Sequence, residues 1–197
     1  MSKTVAILLA AGESRRMGQL KALLPWQGTS LLAHQVGVLC EAGVDGVIVV
    51  LGHRAEELKP IVVGQPKVTC VVNPDYLKGK TTSIKTGVSS LLRDNLDSLL
   101  VLNVDQPRTA DTLRHLLHQH RASSALITIP TYQGKGGHPI ILDASLVDEL
   151  LSVQEETLGL KAVTQRHQDR MQRVEVEDPG VLQDLNTPEQ YQEALSG

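Results

Sequence analysis

Aromatic residues are almost absent from this sequence, and phenylalanine is missing altogether. Of its 197 residues only 2% are aromatic, a single Trp and three Tyr. The core must therefore be built from Leu, Val, Ile and Ala, and the chain is long enough to bury a full α/β core. The shortage of aromatic rings also argues against binding of single-stranded nucleic acid, because bases stack on such side chains.

A charge imbalance, a cysteine motif and a long apolar run are missing as well. The 19 basic and 22 acidic side chains leave a formal net charge of −3, so nothing draws the chain toward nucleic acid or an anionic membrane. Cys40 and Cys70 stand alone in apolar surroundings, which favours reduced, buried thiols. The apolar stretch 5–11 is too short to span a bilayer and lacks a cleavage signature. We therefore expect a cytoplasmic protein.

The apolar pattern alternates between strand-like and helix-like segments. It predicts strands at 5–10, 46–51, 68–72, 98–104, 125–129, 138–142 and 173–176. It predicts helices at 29–42, 55–63, 81–92, 109–121, 145–151, 158–166 and 187–195. Such alternation is typical of a mostly parallel sheet with right-handed crossovers. Since no repeat or linker interrupts the pattern, we interpret residues 1–197 as one α/β domain.

The segments that follow each strand form the candidate site, because ligands bind at the carboxyl ends of parallel strands. After the first strand, residues 8–21 read L-L-A-A-G-E-S-R-R-M-G-Q-L-K. This is not a P-loop, because no lysine follows Gly18 directly. It is not a dinucleotide fingerprint either, because Ser14 stands where the second glycine is needed. Two readings stay open, a triphosphate-binding loop and a simple turn with solvated cations.

Oxygen-bearing side chains lie at two further points of the candidate site. Asp105 follows the fourth strand directly, and Pro107 fixes the chain after it. Mg²⁺ prefers one or two carboxylates together with phosphate oxygens. We therefore favour a metal role for Asp105 over helix capping, a task that Thr109 can perform. Asp184 and Asn186 in D-L-N-T-P-E offer further oxygen ligands, or else form a turn and cap before the last helix.

The histidines give no metal constellation. His138 follows the loop T-Y-Q-G-K-G-G, whose three glycines suit closure over a substrate, or it only shapes a turn. No second His or Cys stands at ligand spacing, which argues against a zinc site. The three histidines of the 109–121 helix, His115, His118 and His120, are interpreted as solvated.

Together these segments resemble the MobA-like nucleotidyltransferases, the branch that includes molybdenum cofactor cytidylyltransferases. The family loop is L-A-A-G-x-S-x-R-M-G-x-x-K, and residues 9–21 match it at every specified position. Five further blocks match in order: L-L-P-W-x-G-x-S-L-L at 23–32, N-x(5)-G-x-x-x-S at 73–83, D-Q-P at 105–107, G-H-P at 137–139 and D-L-N-T-P-E at 184–189. The resemblance therefore runs the length of the chain.

The resemblance implies a three-layer α/β/α Rossmann-like domain of the nucleotide-diphospho-sugar transferase type. It also implies transfer of a nucleoside monophosphate from an NTP to a phosphate, with release of pyrophosphate. Lys21, Arg16 and Asp105 would be catalytic, and Mg²⁺ would lie at Asp105, Asp184 and Asn186. The implied nucleotide-binding residues are Leu9, Ala10, Ala11, Gly12, Ser14, Arg16, Lys21, Asn73, Gly79, Ser83 and His138.

The choice of substrates is also an expectation from the resemblance. L-A-A-G rather than L-A-G-G, and D-Q-P rather than D-T-P, resemble the cytidylyl branch, which implies CTP and molybdopterin or molybdenum cofactor as substrates. A molybdenum hydroxylase apoenzyme is a further expected partner, and neither nucleic acid nor a membrane is expected. Two features depart from the family: Lys80-Thr81-Thr82 replaces a small, serine-rich stretch, and Asn186 replaces a second acid. The alternatives are GTP or another phosphorylated acceptor, or a non-catalytic chaperone that delivers cofactor.

Overall fold

The computed structural model describes residues 3–93, 95–155 and 159–196 and shows a central sheet with helices on both faces. In chain order the strands are β1 (Lys3–Ala10), β2 (Pro25–Trp26), β3 (Thr29–Ser30), β4 (Gly46–Leu51), β5 (Val68–Val72), β6 (Leu96–Asn103), β7 (Ile127–Tyr132), β8 (Lys135–Gly136), β9 (Ile140–Asp143) and β10 (Met171–Glu175). The predicted strands 46–51 and 68–72 coincide with β4 and β5, because each is a short apolar run that is bounded by polar or glycine residues.

The helices of the described residues alternate with these strands. They are α1 (Leu31–Glu41), α2 (Ala55–Val62), α3 (Lys80–Ser89), α4 (Ala110–Arg121), α5 (Val147–Ser152), α6 (Leu160–Arg166) and α7 (Pro188–Ser196). The helix predicted over 158–166 begins at residue 158, which lies outside the described residues, and α6 is its described part. Within the part of the chain that the structure covers, no helix has both the length and the apolar character to cross a membrane.

The central sheet is mostly parallel, as the sequence predicts. Its strand order is β10-β7-β9-β6-β1-β4-β5, and β8 pairs with β7. The pairs β1–β4, β1–β6, β4–β5 and β10–β7 are parallel, while β9 runs antiparallel to both β6 and β7. The first strand therefore lies inside the sheet between β6 and β4, and its carboxyl end opens at the edge where ligands bind in such folds.

Side chains of β1 alternate between two apolar clusters, one on each face of the sheet. Ala6, Leu8 and Ala10 join the cluster that contains α1, α2 and α4. Val5, Ile7 and Leu9 join the cluster that contains α3, α5 and α6. Each fully buried aliphatic side chain stabilises the fold by about 1.5–3 kcal/mol relative to exposure. These two clusters hold the sheet between two helical layers, which confirms the predicted three-layer architecture.

The predicted helix caps at Thr109 and Thr187 are confirmed. Thr109 Oγ1 accepts a hydrogen bond from the Thr112 amide at 3.2 Å, so α4 does not need Asp105 as its cap. Thr187 Oγ1 accepts from the Gln190 amide at 3.4 Å, and Gln190 Oε1 accepts in return from the Thr187 amide at 3.2 Å. This reciprocal pair is a capping box. Both caps lie next to residues of the candidate site and fix the chain there.

Two predictions about side-chain environments need correction. Cys40 and Cys70 are free thiols as expected, but they are only partly buried, because each lies at the margin of the apolar cluster. His120 was predicted to be solvated with the other histidines of α4, and it is buried with 7% exposure. Its Nδ1 lies 2.8 Å from the Thr128 hydroxyl on β7. Helical spacing alone could not reveal that the sheet offers this ring a hydrogen-bonding partner.

Candidate functional site

A cavity of about 470 Å³ lies at the carboxyl ends of β1 and β6. The segments after β1 and β6 meet there because these two strands are neighbours in the sheet, and the other segments that the sequence singled out complete the wall. The predicted site residues in its wall are Leu9, Ala10, Ala11, Gly12, Ser14, Lys21, Gly79, Ser83, Asp105, His138, Asp184 and Asn186. The two predicted residues outside this wall are Arg16 and Asn73. Tyr76, Lys80, Asn103 and Gln106 also line the cavity and were not predicted.

A hydrogen bond and apolar contacts hold the loop after β1 in a compact shape that places Lys21 at the cavity. Ser14 adopts a left-handed conformation with φ 55°, and its Oγ accepts a hydrogen bond from the Lys21 amide at 3.1 Å. Met17 and Leu20 anchor the loop in the apolar cluster below, each with 5% exposure. A left-handed serine costs about 1 kcal/mol or more and persists only where its surroundings hold it. The loop is therefore a built structure rather than a simple solvated turn.

A cluster of two cations and two oxygen-bearing side chains lies at one side of the cavity. Lys21 Nζ donates to Asp105 Oδ2 at 2.7 Å and to Asn186 Oδ1 at 2.9 Å. Arg16 Nη2 donates to the same Asn186 oxygen at 2.9 Å. The side chains of Lys21 and Asp105 are 9% and 22% exposed, so this pair is largely shielded from water. We call Arg16, Lys21, Asp105 and Asn186 the charged cluster.

Arg15, which the family pattern leaves unspecified, does not take part in the charged cluster. Its side chain is 78% exposed, and its guanidinium pairs with Glu13 at 2.7 Å. Of the three cations in the loop, only Arg16 and Lys21 therefore approach the oxygen-bearing residues of the site. The motif predicts the same difference, because it specifies an arginine at position 16 and a lysine at position 21 and leaves position 15 open.

The segment that carries Asp184 and Asn186 is fastened directly to the end of β6. The Leu185 amide donates to the Asp105 carbonyl at 2.8 Å. Asp184 Oδ1 accepts from Gln106 Nε2 at 2.7 Å. The capping box of α7 also receives the Asn186 amide, which donates to Gln190 Oε1 at 2.9 Å. Two segments about 80 residues apart in the chain are thereby held as one wall of the cavity.

Asn73 lies behind the cavity wall and positions residues of α3. Its Nδ2 donates to Thr82 Oγ1 at 2.8 Å and to Ser83 Oγ at 2.9 Å, and its Oδ1 accepts from the Asp75 amide at 2.9 Å. With 2% exposure, its side chain has little access to solvent or ligand. The predicted direct contact between Asn73 and a nucleotide does not fit this position, because α3 uses the amide nitrogen and the Asp75 backbone uses the amide oxygen. Ser83, which Asn73 holds, does line the cavity.

His138 faces the cavity as a neutral ring. Burial, with the nearby charges of Lys80 and Arg108, lowers its pKa from 6.5 to about 4, although Asp184 and Asp105 oppose this shift. The preceding residue, Gly137, packs so tightly that an added Cβ would overlap the Val181 carbonyl oxygen. The glycine is therefore required for the close approach that brings His138 against the cavity.

Arg108 is a buried residue that sequence reasoning missed. It is 3% exposed, and its guanidinium donates to the carbonyl oxygens of His138 at 2.8 Å, Pro107 at 2.8 Å, Gln183 at 3.1 Å and Val181 at 3.1 Å. Burial lowers its pKa to about 10, so the guanidinium stays charged at neutral pH. It therefore fixes the segments that carry His138 and Asp184 relative to each other. The sequence feature that could have pointed to Arg108 is its position directly after D-Q-P.

Lys80 is the second missed residue, and it adds a cation to the cavity wall. It opens α3 and lines the cavity while remaining accessible to solvent. The surrounding walls desolvate its ammonium and lower its pKa, and the carboxylates of Asp105, Asp184 and Glu155 oppose that shift. The departure from the family pattern at Lys80 was the signal that could have pointed to it.

The oxygen donors of the site suit a hard cation that keeps other ligands. Asp105 and Asp184 place two carboxylates in one cavity wall, with the Asn186 amide beside them. The described ranges contain no group of three or more His, Cys, Asp or Glu side chains placed to hold a metal. Mg²⁺ is usually bound through one or two carboxylates and completes its shell with phosphates and water. The residues present fit that mode rather than an all-protein cage.

Comparisons with known proteins agree with this arrangement. A family model described as "MobA-like NTP transferase domain" matches residues 6–171. The molybdenum cofactor cytidylyltransferase of Escherichia coli (strain K12) is 27% identical over 191 residues, covering 97% of this chain and 95% of that protein. Nicotine blue oxidoreductase of Paenarthrobacter nicotinovorans is 29% identical over 196 residues, covering 96% of this chain and 95% of that protein.

A solved structure shows the same arrangement of strands and helices. A nucleotidyl transferase from Methanothermobacter thermautotroptrophicus superposes with a TM-score of 0.82 at 25% identity. The match covers 98% of this chain and 96% of that chain. The two relatives and the solved structure each match 96–98% of this chain, whereas the family model ends at residue 171, before the segment that carries Asp184 and Asn186.

Proposed function

The chain belongs to the MobA-like NTP transferase family, and from this premise we propose that it transfers CMP from CTP to the phosphate of molybdopterin or molybdenum cofactor, releasing pyrophosphate. It is a nucleotidyltransferase of that family. The choice of CTP and of this acceptor draws support from the similarity to the E. coli enzyme named for that reaction. The L-A-A-G and D-Q-P sequences at residues 9–12 and 105–107 support it further.

The charged cluster is the observation that carries the proposal. A nucleoside triphosphate brings about four negative charges to the site at neutral pH, and its transition state moves charge toward pyrophosphate. Arg16 and Lys21 hold their cationic groups on the oxygen of Asn186, at one side of a cavity whose wall includes the small residues 10–12. In our proposal these cations turn to the phosphate oxygens when the nucleotide enters. Preorganised charge of this kind is worth several kcal/mol of transition-state stabilisation.

A metal fits the same wall. In the proposal Asp105 and Asp184 hold Mg²⁺, with Asn186 as a further oxygen ligand, and the ion would neutralise charge on the phosphate oxygens. Lys21 lies 2.7 Å from Asp105, so this lysine holds the carboxylate in place before any nucleotide binds. The same lysine can then move its charge to the triphosphate.

The group transfer itself requires little acid–base chemistry from the protein. An oxygen of the acceptor phosphate forms a bond to the α-phosphorus. The bond from that phosphorus to the oxygen bridging to the β-phosphate breaks, and its electron pair leaves with pyrophosphate. The acceptor oxygen is already an anion, so no general base is required, and alignment and charge stabilisation dominate. His138, neutral at pH 7 because its pKa is about 4, can offer a hydrogen bond without adding charge.

The test is a panel of four NTPs with Mg²⁺, measured by thermal shift and by pyrophosphate release with molybdenum cofactor as acceptor. A ligand at 100 times its Kd stabilises the fold by about 2.7 kcal/mol, so the preferred NTP stands out in the thermal shift. We expect CTP to give the largest shift and to support turnover. A larger shift and turnover with GTP would replace CTP in the proposal, and binding without pyrophosphate release would favour a delivery chaperone.

The nicotinamide cofactors NADH and NADPH belong in the same panel. One relative bears the name nicotine blue oxidoreductase, so membership of this family alone does not exclude redox activity. Stabilisation by a reduced nicotinamide cofactor, with none by any NTP, would contradict nucleotidyl transfer. In the proposal the product passes to a molybdenum hydroxylase apoenzyme, which would use the cytidylylated cofactor.

A further inference from the structure

A second cavity, of about 380 Å³, adjoins the first one. The two cavities share Lys80 and His138 in their walls. The other residues of the second cavity come from α3, β9, α6 and the segments beside them: Thr81, Ile84, Ile140, Glu155, Gly159, Leu160, Lys161 and Thr164. Lys80 and His138 therefore mark a junction between two compartments of comparable volume.

The second cavity differs in chemistry from the first. Ile84, Ile140 and Leu160 give it an apolar surface, and Thr164 adds a hydroxyl. It lacks the charged cluster, and among its described wall residues the cations are Lys80 and Lys161. Such a surface suits a ligand with an anionic group and a body that packs against aliphatic side chains, rather than a second triphosphate.

The carboxylate of Glu155 is already engaged with the protein. Its Oε2 accepts from the Thr81 amide at 2.8 Å, and hydrogen bonds from Thr81 and the Lys80 amide, with the charge of Lys80, lower its pKa. Its negative charge therefore lies at the amino end of α3, where the helix dipole stabilises it. The Lys80 ammonium, in contrast with that of Lys21, makes no ion pair within the described residues. It is available to an anion that enters the junction.

We infer that the second cavity binds the body of the phosphorylated acceptor and that Lys80 binds the acceptor's phosphate at the junction. The inference rests on the proposed function and names the acceptor class as a phosphomonoester whose body packs against aliphatic side chains. The acceptor oxygen then attacks the α-phosphorus of the nucleotide in the first cavity. Its new bond replaces the bond to the bridging oxygen, and pyrophosphate leaves with the electron pair. Lys80 positions the nucleophile and partly neutralises it.

Lys80→Gln tests the junction. With CTP, Mg²⁺ and molybdenum cofactor as the probe, we expect the KM for the acceptor to rise at least tenfold. The rise in the KM for CTP should be several-fold smaller than the rise in the acceptor KM, because Lys21 and Arg16 remain even though Lys80 also lines the first cavity. Lys78→Gln is the matched control, since Lys78 is 72% exposed, pairs with Asp75 at 2.7 Å and lines neither cavity. Equal acceptor KM values for Lys80→Gln and the wild type would overturn the assignment of Lys80.

Thr164→Trp tests the cavity independently. Thr164 lines the second cavity and not the first, so a bulky ring there should obstruct the acceptor and leave the nucleotide site open. Gln165→Trp, an exposed change on the same helix, controls for the added ring. We expect a rise in acceptor KM of at least tenfold for Thr164→Trp only. Unchanged acceptor KM, with both variants folded by circular dichroism, would overturn the placement of the acceptor.

Nucleotide binding separates failure of this inference from failure of the proposed function. Thermal shift with CTP and Mg²⁺ should be the same for the wild type and Thr164→Trp, because Thr164 lies outside the first cavity. If the wild type transfers CMP but neither variant alters acceptor KM, the inference fails and the proposed function stands. If the wild type binds no NTP, both fail together. Glucose 1-phosphate, a phosphomonoester with a hydroxyl-rich body, should compete poorly with the acceptor. Strong competition would contradict packing of the acceptor body against the aliphatic residues of the second cavity.

Discussion

The ion pair between Lys21 and Asp105 predicts a specific pattern of stability changes. The Nζ and Oδ2 atoms are 2.7 Å apart, with side-chain exposures of 9% and 22%. Removing one partner of a fully buried pair costs about 3–5 kcal/mol. Because Asp105 keeps some solvent contact and Asn186 still accepts from Lys21 at 2.9 Å, we expect about 1–3 kcal/mol for Asp105→Asn or Lys21→Met. Most small domains are stable by about 5–15 kcal/mol, so both variants should fold.

The double variant gives the diagnostic result. Asp105→Asn combined with Lys21→Met leaves no uncompensated charge at this position, so its destabilisation should fall below the sum of the single effects by at least about 1 kcal/mol. Urea unfolding followed by circular dichroism measures all four proteins. As a control, Arg93→Gln breaks a pair with Asp148 whose side chains are 51% and 84% exposed, and it should cost well under about 1 kcal/mol.

Activity should respond more strongly than stability. In the proposed mechanism each single variant loses a group that stabilises charge in transfer, so pyrophosphate release should fall at least about 100-fold. The double variant should recover stability but not activity. Additive stability changes would refute the coupling that we derive from the 2.7 Å contact. Transfer at near wild-type rate in either single variant would refute the catalytic assignment.

Three further predictions follow from buried groups near the site. Folding lowers the pKa of His138 from 6.5 to about 4. Between pH 6.5 and pH 4 the native state therefore binds fewer protons than the unfolded state. The free energy of unfolding falls as the pH falls through this range, by at most about 3 kcal/mol. His138→Gln should reduce this loss, measured by urea unfolding at pH 7 and pH 4.5, and an unchanged slope would contradict it. Arg108→Met should destabilise the fold by about 3 kcal/mol or more, because it removes four hydrogen bonds to backbone carbonyls. A denaturation midpoint close to that of the wild type would argue against the structural role of Arg108. Gly137→Ala should cost about 1–3 kcal/mol in thermal unfolding, because its Cβ overlaps the Val181 carbonyl, whereas Gly136→Ala meets only the end of a side chain and should cost less.

The architecture could be predicted from the sequence because each buried strand of the parallel region is a continuous apolar run. The strands 46–51 and 68–72 were located to the residue. The sequence did not reveal that β9 runs antiparallel between β6 and β7, since direction depends on tertiary pairing rather than on composition. The two-residue strands β2, β3 and β8 are too short to give any apolar period.

The candidate site was predictable where a motif follows a strand, and it was missed where distant segments meet. Lys21 and Asp105 were identified from their positions after β1 and β6, and they lie 2.7 Å apart. Arg108 was missed because its carbonyl partners, except Pro107, come from segments 30–75 residues away. Asn73 was predicted to contact a nucleotide, but an amide pattern in the sequence does not show whether the side chain faces a cavity or a neighbouring helix.

Nucleotidyl transfer by this protein is tested directly by product analysis with mass spectrometry, with pyrophosphate measured in the same reaction. The purified protein is incubated with CTP, Mg²⁺ and molybdenum cofactor. If the protein transfers CMP, we expect one equivalent of pyrophosphate for each equivalent of cytidylylated cofactor, and loss of both products in Lys21→Met. Absence of pyrophosphate and of any nucleotidylated acceptor with all four NTPs, from protein that is folded and stabilised by nucleotide, would contradict it.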